Sequence, residues 1–81
     1  MTSAKRAAYK ARMTVRVVDR SFGLAEVWLP GGAIVQVWFV RGRVEIFGGD
    51  PITSIEKEIL TEKVLAFFSN FSKQEQGILF G

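Results

Sequence analysis

The sequence predicts an α+β fold, in which an amphipathic C-terminal helix covers one face of a four-stranded antiparallel β-meander. Four short segments rich in Val, Ile and aromatic residues follow one another between residues 13 and 47, a composition typical of strands. Three short loops in series separate them, which implies antiparallel neighbours. After residue 53 the apolar spacing changes to that of a helix. The 81 residues are enough for one small domain with a thin core.

The first twelve residues form a basic arm. Ala, Lys and Arg dominate it and favour a helix from Ser3 to Met13, with Ser3 as a candidate N-cap. Tyr9 and Met13 are its few apolar anchors, so we expect an arm that is either flexible or helical and that orders on docking. The domain boundaries follow from this reading: residues 1–12 are a basic N-terminal arm and residues 13–81 are a single α+β domain.

Alternating apolar residues and turn signals place the strands. Gly23 closes the first loop, Pro30-Gly31-Gly32 forms the second, and Arg41-Gly42 forms the third. Gly48 to Pro51 ends the sheet. The predicted strands are Met13–Val17, Leu24–Leu29, Ala33–Val40 and Arg43–Phe47.

The loop lengths predict the register, because a slip of one residue would move every side chain to the other face. They pair Asp19 with Gly23, Glu26 with both Arg16 and Gln36, and Val40 with Arg43. One face is then wholly apolar and lies under the helix: Met13, Val15, Val17, Ala25, Val27, Leu29, Ala33, Val35, Val37, Phe39, Val44 and Ile46. The other face mixes charged and large apolar residues: Thr14, Arg16, Val18, Leu24, Glu26, Trp28, Ile34, Gln36, Trp38, Val40, Arg43, Glu45 and Phe47.

The C-terminal helix begins with a predicted capping box. Thr53 caps the helix, and Glu56, three residues later, is placed to accept a hydrogen bond from the Thr53 backbone N–H. Apolar residues at 55, 59, 60, 64, 67, 68 and 71 form one helical stripe. We expect the helix to end at Asn70 and a short helical turn to follow from Ser72. Gly77 then precedes an apolar tail, Ile78–Phe80.

The mixed face allows two interpretations. Trp28, Trp38 and Phe47 are interface or stacking residues if this face meets a partner. They are core residues instead if the sheet curls into a barrel. A hydrophobic content of 48% in a chain without disulfides leads us to expect a homodimer or higher oligomer.

The chain has no cysteine and no histidine, which removes the usual ligands of zinc and iron–sulfur clusters. The chain therefore also has no cysteine nucleophile and no histidine base to activate a serine. Glu26 and Glu45 lie near Arg16 and Arg43 on the predicted sheet, which favours ion pairs over acid–base catalysis. The Gly-Gly pairs match no phosphate-binding fingerprint. We therefore expect no catalytic residue, metal, cofactor or small-molecule substrate, and a protein that is not an enzyme.

Positive charge is concentrated at one end of the chain. Residues 1–20 contain six basic residues and one acidic residue, a balance of +5, against +3 for the whole chain. A basic arm is typical of proteins that bind nucleic acid, and it is equally common as a solubilising tail. We expect a nucleic-acid-associated protein that uses the basic arm and the aromatic residues of the mixed face. Its phosphate contacts are Lys5, Arg6, Lys10, Arg12, Arg16 and Arg43.

Two further expectations complete the prediction. The alternative to nucleic-acid binding is a protein–protein interaction module, an accessory inhibitor or adaptor of a larger complex, that uses the same mixed face. The sequence contains neither an apolar run long enough to span a membrane nor an apolar segment after the basic N-terminus, as a secretory signal would have. We therefore expect a cytoplasmic protein with no membrane partner.

Overall fold

The structure, a computed structural model, describes residues 1–80, with side chains described for residues 1–70. The elements in chain order are α1 (Ser3–Arg12), β1 (Thr14–Asp19), β2 (Leu24–Trp28), β3 (Ile34–Val40), β4 (Arg43–Gly49) and α2 (Ser54–Phe80). The strands form one antiparallel sheet in the order β1-β2-β3-β4, and α2 packs on one face of it. The predicted α+β meander is confirmed.

The arm is helical, but its cap lies one residue earlier than predicted. Thr2 has an extended backbone, and its hydroxyl accepts a hydrogen bond from the backbone N–H of Lys5 at 3.2 Å. Thr2 therefore caps α1, and the assignment of Ser3 as the cap was wrong. Met13, which follows α1 directly, is buried and leads the chain into β1.

The register is as predicted across most of the sheet, with Glu26 opposite both Arg16 and Gln36. The pairing of Asp19 with Gly23 was wrong: Asp19 lies opposite Leu24, and Val18 is an extra residue in a β-bulge. The physical reason is the turn. The Gly23 N–H donates to the Arg20 carbonyl at 3.3 Å, which closes a four-residue turn over residues 20–23 instead of the expected three-residue loop.

β4 is two residues longer than predicted and contains a second bulge. Gln36 pairs with Gly48 while Val37 pairs with Ile46, so Phe47 is the extra residue. Glycine is required at Gly49. Its φ is +103°, a conformation that side chains strongly disfavour, and a Cβ atom there would collide with the Ile34 carbonyl oxygen.

α2 begins with the predicted capping box. The Thr53 N–H donates to Glu56 Oε1 at 2.9 Å, and the Glu56 N–H donates to Thr53 Oγ1 at 3.3 Å. The helix then continues to Phe80, so the predicted end at Asn70 was wrong. Asparagine within a helix costs only a few tenths of a kcal/mol, about as much as other ordinary residues, so it stops a helix only in a suitable context. The side chains of the predicted tail, Ile78–Phe80, lie outside the described residues.

The core lies between α2 and the sheet face predicted to be apolar. Phe68 of α2 stacks on Phe39 of β3, with ring centroids 4.9 Å apart and planes 2° from parallel. The buried residues are Met13, Ala25, Val27, Leu29, Val35, Val37, Ile59, Leu60, Val64 and Phe68. We call this side of the sheet the inner face.

Candidate binding surface

The opposite side of the sheet, the outer face, is not covered by any described element. α2 packs on the inner face, and α1 packs against α2. Trp28 is 43% exposed and Trp38 is 39% exposed. The interpretation of both tryptophans as the core of a curled barrel was therefore wrong. The outer face consists of Thr14, Arg16, Asp19, Leu24, Glu26, Trp28, Ile34, Gln36, Trp38, Val40, Arg43 and Glu45.

The outer face is organised in rows that run across the strands. In one apolar row Trp28 lies opposite Ile34, and in another Trp38 lies opposite Leu24. The row between them is polar. Rows on one face of a sheet are about 6.8 Å apart, because every second residue points the same way. On β2 and β3 the face therefore presents two aromatic–aliphatic rows on either side of a polar row. The edge strands continue these rows with Thr14, Asp19 and Glu45.

Trp38 is held in place by the turn between β1 and β2. Its indole Nε1 donates to the Phe22 carbonyl at 2.8 Å, and the Phe39 N–H donates to the Gly23 carbonyl at 2.8 Å. These bonds fix the ring on the surface. Phe22 itself is 67% exposed beside it, although it was not among the site residues predicted from the sequence. An aromatic residue inside a glycine-ended turn is the signal that pointed to it.

The outer face carries charges of both signs. Arg43 Nη2 lies 3.4 Å from Glu45 Oε1 on the same strand, and Arg16 lies opposite Glu26 on the neighbouring strand. Asp19, at the end of β1, is the fifth charged residue of the face, so three are acidic and two are basic. A phosphate group bound at Arg16 or Arg43 would therefore lie close to a carboxylate, which weakens its binding.

α1 is docked on α2 by charge pairs. Arg6 Nη2 lies 2.7 Å from Glu62 Oε1 and Nη1 lies 3.8 Å from Glu58 Oε2, while Lys10 Nζ lies 3.6 Å from Glu62 Oε2. The Arg6 hydrogen bond holds the pKa of Glu62 below its usual value. Two of the residues expected to contact phosphate, Arg6 and Lys10, thus already have carboxylate partners within the chain.

A tyrosine–glutamate hydrogen bond joins α1 to the first turn of α2. The Tyr9 hydroxyl donates to Glu56 Oε2 at 2.6 Å. Burial and this bond raise the pKa of Tyr9 to about 12. The pKa of Glu56 is lowered, first by the Thr53 backbone N–H and then by Tyr9. The carboxylate that caps α2 therefore also anchors α1.

A shallow groove of about 410 Å³ lies between α1 and α2, with lining residues Ala7, Lys10, Ala11, Lys63, Ala66, Phe67 and Asn70. This lining has two lysines and no carboxylate, so it offers no paired acid and base for catalysis. Among residues whose side chains are described, no cluster of three His, Cys, Asp or Glu could hold a metal ion. Within the same residues, no helix is long and apolar enough to cross a membrane.

No protein family, curated protein or solved structure matches this chain. Function is therefore inferred from the outer face and from α1.

Proposed function

We propose that the chain is a small non-enzymatic protein-binding module, which docks a protein partner on its outer face. One observation carries the proposal: the helices cover only the inner face, while Trp28 and Trp38 remain about two-fifths exposed on the outer face. Exposed apolar rows with polar neighbours are typical of protein interaction sites. Tryptophan and arginine are also the residues that most often dominate binding energy at such sites.

The spacing of the outer face indicates what kind of protein surface fits it. Two apolar rows lie on either side of a polar row, at the spacing of about 6.8 Å set by a β-sheet. A partner that presents side chains at the same spacing, such as another sheet face, fills both apolar rows at once. The mixed charges of the outer face, three acidic and two basic, favour a partner surface without a large net charge.

A photo-crosslinking amino acid placed at Gln36, in the middle of the polar row, tests this proposal. We expect it to capture a specific protein, identified by mass spectrometry, that also binds the purified chain. Trp28→Lys should abolish both capture and binding. Ile55→Lys, a change of another exposed apolar residue on α2, serves as the matched control and should leave both unchanged. Equal capture by the Trp28→Lys variant would contradict the proposal.

Nucleic-acid binding is the second candidate function, and one observation favours it. Lys5, Arg12 and Arg16 make no ion pair with the described residues. Lys5 and Arg12 are seven residues apart, so they lie on the same side of α1. With Trp28 and Trp38 as stacking residues, such cations bind single strands mainly through phosphates, with little sequence preference.

Fluorescence anisotropy of labelled oligonucleotides at several salt concentrations distinguishes the two functions. If the nucleic-acid candidate is right, Lys5→Ala/Arg12→Ala lowers the slope of log affinity against log salt by about two, one for each phosphate that the variant no longer neutralises. Point substitutions are preferable to deletion of residues 1–12, because α1 is docked on α2 through Tyr9 and Arg6. No binding at low salt excludes this candidate.

A further inference from the structure

We infer that the partner of the outer face is a second copy of this chain, bound face to face about a two-fold axis that runs parallel to the strands between β2 and β3. This inference rests on the proposed function and names the partner of the same surface. A second copy is itself a sheet face with the required spacing of rows. It also carries charges of both signs, so a suitable orientation brings opposite charges of the two copies together.

Rotation about this axis keeps each row at its height and exchanges β2 with β3. Trp28 then faces the partner's Ile34, and Leu24 faces the partner's Trp38, each contact occurring twice. Apolar rows therefore meet apolar rows, and the polar row meets the polar row. Sheets packed in this way lie about 10 Å apart with their strands nearly aligned, and both tryptophans become buried.

The charges select this axis over the other two-fold arrangement of the same faces. An axis perpendicular to the strands would place Glu26 against the partner's Glu26 and Arg16 against the partner's Arg16. Like charges opposed in this way destabilise an interface. The axis parallel to the strands instead sets Glu26 against the partner's Gln36. At each edge it brings Arg16 and Asp19 of one chain against Glu45 and Arg43 of the partner, two charges of each sign.

The edges of the sheet are poor sites for the same association. β1 carries the bulge at Val18 and β4 carries the bulge at Phe47. Bulges interrupt the hydrogen-bonding ladder of an edge strand and twist it away from a straight partner. Both edges are therefore protected against strand addition, whereas the outer face between them is not.

Sedimentation equilibrium of the purified chain tests the dimer. We expect a mass of twice 9.1 kDa, and we expect Trp28→Lys to raise the dimer dissociation constant roughly 30-fold or more, as loss of a central anchor does. Ile55→Lys is the control that keeps the dimer, since Ile55 lies on α2. Circular dichroism confirms that each variant is folded. A dimer that persists in Trp28→Lys would overturn the inference.

Cross-linking through introduced cysteines tests the axis. The chain has no native cysteine that would react with the same reagent. Arg16 and Glu45 lie on opposite edges of the sheet, about 14 Å or more apart within one chain, and the proposed axis brings Arg16 of one chain within one row of Glu45 on the other. A bis-maleimide whose reach matches the spacing of about 10 Å between packed sheets should join two chains of the variant Arg16→Cys/Glu45→Cys, and neither single variant. Dimer formation by Arg16→Cys alone would instead indicate the perpendicular axis and overturn the inference.

A monomeric chain would distinguish the failure of the dimer inference from the failure of the proposed function. If the chain is monomeric at every concentration tested, the second copy is not the partner and the inference falls. The proposed function then stands or falls with the capture experiment at Gln36, which detects any protein partner. If capture also fails, the outer face is not a protein-binding surface.

Discussion

The two faces of the sheet are built from neighbouring residues of the same strands, yet only one of them is covered. Val27 and Val37 of the inner face are fully buried, while Trp28 and Trp38, the next residues along, remain about two-fifths exposed. A strand alternates its side chains between faces, so the sequence must specify both environments at once. The comparison teaches that this chain supplies helical cover for one apolar face and leaves a second, partly apolar face for another molecule.

Placing a charge on each face in turn tests most directly whether the inner face is buried and the outer face reaches water. Val27→Asp puts a carboxylate where nothing can solvate or pair it, at a cost of about 4 kcal/mol or more. That approaches the whole stability of a small domain, so we expect the variant to be unfolded. Trp28→Asp should remain folded, because its site reaches water. Urea denaturation followed by circular dichroism measures both, and a folded Val27→Asp variant would contradict the assignment of the inner face.

The turn that holds Trp38 gives the next largest effect. Gly23 has a φ of +70°, and a Cβ atom there would collide with the Phe39 carbonyl oxygen. We expect Gly23→Ala to lower the free energy of unfolding by about 2–3 kcal/mol through strain and displacement of the turn. Gly42→Ala is the matched control: its φ is +76°, but it has open space around it, so it should cost only about 1 kcal/mol. Equal losses would mean that the close approach at Gly23 does not matter.

The docking of α1 is expected to depend on Tyr9. The pKa of Tyr9 is raised to about 12, above its unfolded value of about 10, so the folded state favours the neutral phenol. Its contribution is complete below about pH 10 and is lost as the pH rises through about 12. Because Tyr9 is the only tyrosine, absorbance at alkaline pH reports its titration directly.

The substitution Tyr9→Phe removes the hydroxyl that donates to Glu56. We expect a loss of about 1–2 kcal/mol at pH 7, since the bond is to a charged acceptor. The variant should also lack the fall in stability between neutral and strongly alkaline pH that this titration causes. Urea denaturation at both pH values measures this, and an ordinary tyrosine titration near pH 10 in the parent chain would contradict the hydrogen bond.

The smallest effect is expected from Arg6→Ala, because the ion pair of Arg6 with Glu62 is on the surface and such pairs contribute little. Arg6 lowers the pKa of Glu62, so the pair stabilises the fold above the unfolded pKa of Glu62. That contribution is lost as the pH falls through the lower, folded value. The difference between parent and variant should therefore shrink in high salt and in acid. A difference that survives both conditions would point to packing by the Arg6 side chain instead.

Local patterns determined most of the architecture. Alternation between apolar and polar residues placed all four strands, and the pairing of Glu26 with Arg16 and Gln36 followed from loop lengths. The capping box at Thr53 and Glu56 was correct to the residue. These features could be predicted because each depends on residues that are close in the sequence or on a period that the backbone imposes.

Several features depended on contacts between distant residues. The bulges at Val18 and Phe47 were not predicted, because an extra residue in a strand is selected by the turn and by the partner strand. The ion pairs of Arg6 and Lys10 join residues more than fifty positions apart. The basic residues of the sequence alone therefore overstated how much of α1 is available to bind phosphate.

The sequence by itself determined that this chain has two unlike sheet faces and lacks the cysteine and histidine of common catalytic and metal sites. The period of two in its strands is enough for that, since it sorts side chains without knowledge of the rest of the fold. Only the tertiary structure decided which face is covered and where Trp28 and Trp38 lie. The physical reason is that a sheet face is buried only where another element packs on it. The path of the chain between β4 and α2 decides on which face α2 packs.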